Sequence, residues 1–253
     1  MRWLLVLLLF LPVPGVAQRL LDFREDLAFK AEVVEGVAGK AYARRLSLLE
    51  AEGKLDTDRD LLERLHGILD RLRAAAEYEQ PASSAIHWQI HSCRNCGESA
   101  SAMAGGRLLF GEEFIAGLAP TDDELAFVIA HEMAHVLAEH TREYATTARF
   151  FLANGLHREY WDIQRELDES IVANLRMAHE YQRQELDADY IGFILGARAG
   201  YQPEAMLSLL RKLGADDPSF LSRHPEEKQR MRQAQTMLES VRRIYTLSSG
   251  QLR

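Results

Sequence analysis

Between residues 125 and 137 the chain reads LAFVIAHEMAHVL, in which only His131, Glu132 and His135 are ionisable. As a helix this segment has apolar side chains on nearly every face, so it has to lie inside a shell of other elements. Its three ionisable groups are then buried, at a cost in free energy unless they are paired or bound. Any fold for this chain must therefore enclose a polar trio in its core.

The flanking residues supply a start for that helix. Pro120 ends what precedes it, and Thr121 with Glu124 three residues on makes a capping box, predicting a helix over residues 122–144. Leu61, Leu62, Leu65, Ile68, Leu69 and Leu72 follow helical spacing and predict another over 58–78. Further helical patterns cover residues 150–160, 162–178, 179–197, 203–213 and 226–245. Residues 85–92 (AIHWQIHS) alternate like a strand, and Gly105-Gly106 reads as a turn into a second strand over 107–110. The expected fold class is mainly α with a small β-sheet, an α+β domain over residues 18–253 built around the central helix.

Residues 1–17, MRWLLVLLLFLPVPGVA, show an early cation, a short apolar core, two prolines and small residues at the end, the order of a secretory signal cut after Ala17. The apolar run is short for a bilayer, so no transmembrane span is expected in the mature chain. The formal charge of -8 and the absence of a basic block argue against nucleic acid as a partner. Export places the protein outside the cytoplasm, with the periplasm as the expected location.

Both cysteines, Cys93 and Cys96, stand in one CxxC. In an oxidising compartment such a pair closes a small disulfide; a thiol-exchange site and a zinc knuckle completed by His87 and His91 are the alternatives.

His131 and His135 are four apart, about 40° of helical azimuth, and so share one face; Glu132 is about 100° from His131. This HExxH pattern offers two imidazole ligands and a base for zinc-assisted hydrolysis. A catalytic zinc needs a third protein ligand and an open position. On a continued helix His140 falls about 180° from His131, on the wrong face. The metzincin arrangement fails because Ala138 and Thr141 replace the glycine and histidine it needs. Fifty residues on, Glu185 and Asp189 are again four apart on one face, so that one can bind metal while the other accepts the outer N–H of a ligating histidine. Asp187 points away from that face and reads as solvated surface.

With AHEMAHVLAEH, QRQELDADYIGFILGARAGYQPEAM and SRHPEEKQR in this order, residues 45–237 resemble the gluzincin metalloendopeptidases of the HtpX and CAAX-prenyl-endopeptidase type, the forty-eighth metallopeptidase family. The resemblance implies one Zn2+ per chain held by His131, His135 and Glu185, Glu132 as general base, and Asp189 as partner of a ligating histidine. It implies that His224 faces the metal as oxyanion donor or resting cap, and that Arg230 matches a family position. It also implies an edge strand, placed at Gly105, Gly106, Arg107, Leu108 and Leu109 through Phe110, that pairs with extended substrate. The chain departs from its relatives in the Ser99-Ala100 before this strand and in the charged segment HREYWDIQRELDESI between the zinc motifs. The expected activity is zinc-dependent endoproteolysis of unfolded or misassembled envelope proteins, with peripheral contact to envelope complexes. A chaperone-like or latent homologue with a closed metal site is the alternative.

Overall fold

The computed structural model describes residues 27–216 and 227–251. In chain order its elements are α1 (Ala31–Ala51), α2 (Arg59–Glu79), a short 3-10 turn (Pro81–Ala85), β1 (Gln89–Cys93), β2 (Ala100–Met103), β3 (Arg107–Gly111), α3 (Glu112–Leu118), α4 (Asp122–Leu137), α5 (His140–Ala148), α6 (Tyr160–Glu169), α7 (Ile171–Arg198), α8 (Glu204–Asp216) and α9 (Glu227–Gln251). Helices dominate and one three-stranded sheet accompanies them, which is the α+β class expected from the sequence. No helix among the described residues is long and apolar enough to cross a membrane.

Helix α4 begins where its capping residues place it: Thr121 Oγ1 accepts from Glu124 N and Glu124 Oε2 accepts from Thr121 N. The capping carboxylate is itself held by Lys212 and Ser208 of α8, which ties the helix start to the next layer. From Leu125 to Ala134 every side chain of α4 is buried. The main covering element is α7, with α2 and α8 beside it, and α9 packs across α7 and α8.

Two glycines set how closely α4 and α7 approach. A Cβ on Gly192 would lie 2.9 Å from His131 N and 3.0 Å from the carbonyl carbon of Ala130; one on Gly196 would strike the Phe127 ring. Beside Gly192 the atoms met are all α4 backbone, which yields only if the helix itself shifts. Gly192→Ala is therefore expected to destabilise the fold by about 1–3 kcal/mol and to weaken metal binding, because it separates the helices that carry the site. Urea unfolding and zinc titration of the variant check this; unchanged values in both contradict it.

The predicted helix over 122–144 is interrupted. Helix α4 ends at Leu137, Glu139 takes a left-handed conformation (φ 56°, ψ 34°), and α5 starts at His140. The break is held by tertiary partners: Arg142 Nη1 lies 2.6 Å from Glu139 Oε2, and Arg142 Nε donates to the Phe29 carbonyl. Residues 162–197 also divide differently, because Ser170 caps α7 through Ala173 N and lets it run unbroken to Arg198.

The sheet order is β1-β3-β2, with β1 parallel and β2 antiparallel to β3. The period-two alternation of β3 sends Leu108 and Phe110 into the main core, while Leu109 packs with Tyr42 and Leu49 of α1 on the opposite face.

Candidate metal centre

Helix α4 presents His131 and His135 on one face, and α7 crosses it to bring up Glu185. Nε2 of His131 lies 3.2 Å from Nε2 of His135, Glu185 Oε2 lies 3.3 Å from the former, and Glu185 Oε1 lies 3.4 Å from the latter. Zinc bonds of roughly 2.0–2.1 Å at a tetrahedral angle put donor atoms about 3.3 Å apart, so the three side chains fit that ion. Two nitrogens and a carboxylate are also a donor set that zinc prefers. Among the described residues this trio is the group that could hold a metal.

Around it lies a buried charge network. His131 Nδ1 is 3.0 Å from Asp189 Oδ1, which holds a proton on Nδ1, so Nε2 is the nitrogen that would meet a metal on giving up its own proton. Arg230 of α9 clamps Asp189 with two hydrogen bonds, Nε to Oδ2 at 2.6 Å and Nη2 to Oδ1 at 2.7 Å. His131, Asp189, Glu185 and Arg230 are all 4% exposed or less. Burial would lower the His131 pKa, but hydrogen bonds and charge from Asp189 and Glu185 override it and push it up to about 10. The site thus favours positive charge where the ion would sit. Burial would likewise raise Asp189, yet the Arg230 guanidinium and His131 hold it down at about 2.

Glu132 behaves in the opposite way. Burial pushes its carboxyl up to about 7; the His131 and Arg230 charges counter this, and the Glu185 and Glu98 carboxylates add to it. Its Oε1 is buried with no hydrogen-bond partner among the described residues. A carboxylate titrating near neutrality beside a metal site has the acidity a general base needs.

Some expectations need correction. Gly105 and Gly106 do form the turn, both with positive φ, but β3 is the central strand, with both of its edges already paired. Leu108 and Leu109 are core residues, and Arg107 Nη1 donates back to the Ala104 carbonyl. These residues therefore cannot pair with a substrate strand. Among the described residues the unpaired edge beside α4 belongs to β2, a strand not expected from the sequence because ASAM has little β propensity. His140 is not carried to the far side of α4: the break at Glu139 brings its ring to 4.9 Å from that of His135. A pocket of about 350 Å³ opens next to His135, walled by Val34, Ile86, Ala104, Gly105 and Arg107.

Cys93 and Cys96 form a disulfide. Cys93 is fully buried, which denies it the access a thiol-exchange site requires; His91 is held by Asp56 at 2.7 Å, and the disulfide leaves no thiolate for a zinc knuckle. The leader expected over residues 1–17 and the candidate His224 lie outside the described residues.

Residues 63–238 match the profile of peptidase family M48. The chain belongs to that family. Membership places it among the metallopeptidases. Three relatives are each named mitochondrial metalloendopeptidase OMA1: one from Saccharomyces cerevisiae, 26% identical over 64% of this chain and 50% of its own length; one from Schizosaccharomyces pombe, 30% identical over 61% and 48%; and one from Arabidopsis thaliana, 34% identical over 48% and 26%. The chain thus spans half or less of the relatives it matches. Their mitochondrial names overturn the periplasmic expectation, since they point away from a bacterial periplasm.

Proposed function

We propose that this M48 chain is a zinc-dependent endopeptidase that cleaves unfolded or misassembled polypeptides. One observation carries the reading: two imidazoles and a carboxylate at tetrahedral donor spacing, with the buried Glu132 Oε1, which has no hydrogen-bond partner among the described residues, next to the first ligand. His131, His135 and Glu185 would hold the zinc, which would supply Lewis acidity towards water and the scissile carbonyl. Glu132 Oε1 takes the proton from the attacking water and returns it to the leaving amine. Asp189 and Arg230 keep the His131 ring in the tautomer that binds metal.

The substrate class follows from β2. Gly111 N donates to the Ser99 carbonyl, so the alternation of the ladder turns the backbone groups of Ala100 and Ala102 to the unpaired edge. That edge can take up an extended chain by strand addition, which a folded protein does not offer. Ala102→Pro removes one outward N–H without breaking the β3 ladder. It is expected to lower kcat/KM on an unfolded substrate by about tenfold, the worth of one hydrogen bond of roughly 1.4 kcal/mol, with zinc content unchanged. An unaltered kcat/KM contradicts the assignment of β2.

Metal analysis joined to cleavage of unfolded casein tests the whole reading. One zinc per chain, loss of cleavage on chelation and recovery on adding zinc are expected. Cleavage that survives complete zinc removal overturns it.

A further inference from the structure

The two ligating imidazoles are supported in different ways. His131 donates its Nδ1–H directly to Asp189 Oδ1. His135 Nδ1 instead lies 2.9 Å from Nδ1 of a third histidine, His140. One proton lies between two such nitrogens, so one ring donates and the other accepts. With His135 Nε2 turned towards Glu185 as a ligand, its proton sits on Nδ1, and His140 Nδ1 is the acceptor. His140 must then carry its own proton on Nε2. That nitrogen has no hydrogen-bond partner among the described residues, yet it faces Asp187 Oδ2 at 3.5 Å.

We infer that His140, backed by Asp187, is the positioning residue for His135: it fixes the tautomer and ring orientation with which His135 meets the metal. The inference rests on the reading that the trio binds zinc, and it assigns a role to two residues outside that trio. Several features are organised around it. His140 is 3% exposed, although it opens a helix immediately after the break at Glu139. Gln184 of α7 pins it by donating Nε2 to the His140 carbonyl at 3.1 Å and to Glu143 Oε2 at 2.9 Å. Helix α7 therefore supplies a ligand in Glu185, support for one imidazole in Asp189, and support for the other through Gln184 and Asp187. At 3.5 Å the Asp187 contact is longer than a strong hydrogen bond, so its carboxylate acts chiefly as a charge that orients the His140 N–H.

The test measures zinc affinity by chelator competition, and the visible spectrum of the cobalt-loaded chain, in the parent and in His140→Leu, His140→Asn and His140→Gln. Asparagine places an acceptor near the Nδ1 position, glutamine near Nε2, and leucine fills the space with no acceptor. His140→Leu and His140→Gln are expected to weaken zinc binding by roughly 10–100-fold and to shift the cobalt bands, with His140→Asn within about threefold of the parent. Equal affinity in the asparagine and glutamine variants overturns the inference even if the leucine variant fails to fold, and so does parental affinity in His140→Leu with an unshifted spectrum. A parent that binds no zinc overturns the metal reading and this one with it. A parent that binds zinc but cleaves nothing defeats only the peptidase reading, because neither readout needs turnover.

Discussion

Glu132→Gln is expected to lower kcat/KM on unfolded casein by about 10²–10⁴-fold while retaining one zinc per chain. A thousandfold loss corresponds to about 4 kcal/mol of transition-state stabilisation. Glutamine keeps the volume and burial of the side chain but cannot accept a proton from water, and Glu132 is not one of the three convergent donors. The same substitution has a second signature in the metal-free chain. Because the folded pKa of Glu132 is raised from 4.5 to about 7, its neutral form is the one the fold favours. Its contribution to stability is complete below about pH 4.5 and is lost as pH rises through about 7. The variant lacks this group, so its stability advantage over the parent grows across that interval. Thermal unfolding from pH 4 to 8 reads the difference; full activity or loss of zinc in the variant contradicts the role given to Glu132.

Arg230→Leu is expected to cost about 3–5 kcal/mol, because it takes the guanidinium and its two hydrogen bonds from the buried Asp189 carboxylate and leaves only His131 to compensate the charge. Both side chains are almost wholly excluded from solvent, so water cannot replace the guanidinium. For a chain of this size the loss corresponds to a fall in Tm of roughly 6–20 °C. Asp189→Asn placed on top of Arg230→Leu removes the stranded charge and should recover part of the loss. The sign with pH is also defined. The Asp189 pKa is lowered from 3.8 to about 2, so its contribution is present above about pH 4 and is lost as pH falls through 2. Arg230→Leu weakens that acid dependence, because of the two groups that hold the pKa down only His131 remains. A cost below about 1 kcal/mol in urea unfolding would show that the pair is not coupled to the fold in this way.

What the sequence made legible was local and periodic. His131 with His135, and Glu185 with Asp189, are each four apart on an unbroken helix, so their shared faces follow from helical geometry alone, and Thr121 with Glu124 marks the start of α4. What escaped depends on partners distant in the chain. The left-handed turn at Glu139 has no glycine to announce it; Arg142 and the Phe29 carbonyl hold it, and that turn is what carries His140 to His135. Asp187, read as solvated, acquires its contact only through this break. The order of the sheet is equally non-local: β1 pairs in parallel with β3, skipping β2 in the sequence, which puts the unpaired edge among the described residues at Ala100–Met103 rather than in the Gly105–Leu109 region. Nor does spacing show that Gly192 and Gly196 are the points where α7 meets α4, since only the packed structure brings Ala130 and Phe127 against them.

An anomalous difference map collected at the zinc edge on crystals of the zinc-loaded chain tests the central claim most directly. The account predicts one peak at about 2.0–2.2 Å from Nε2 of His131, Nε2 of His135 and a carboxylate oxygen of Glu185. A map with no peak there, or with zinc bound elsewhere and Glu185 turned away from the two imidazoles, would contradict it.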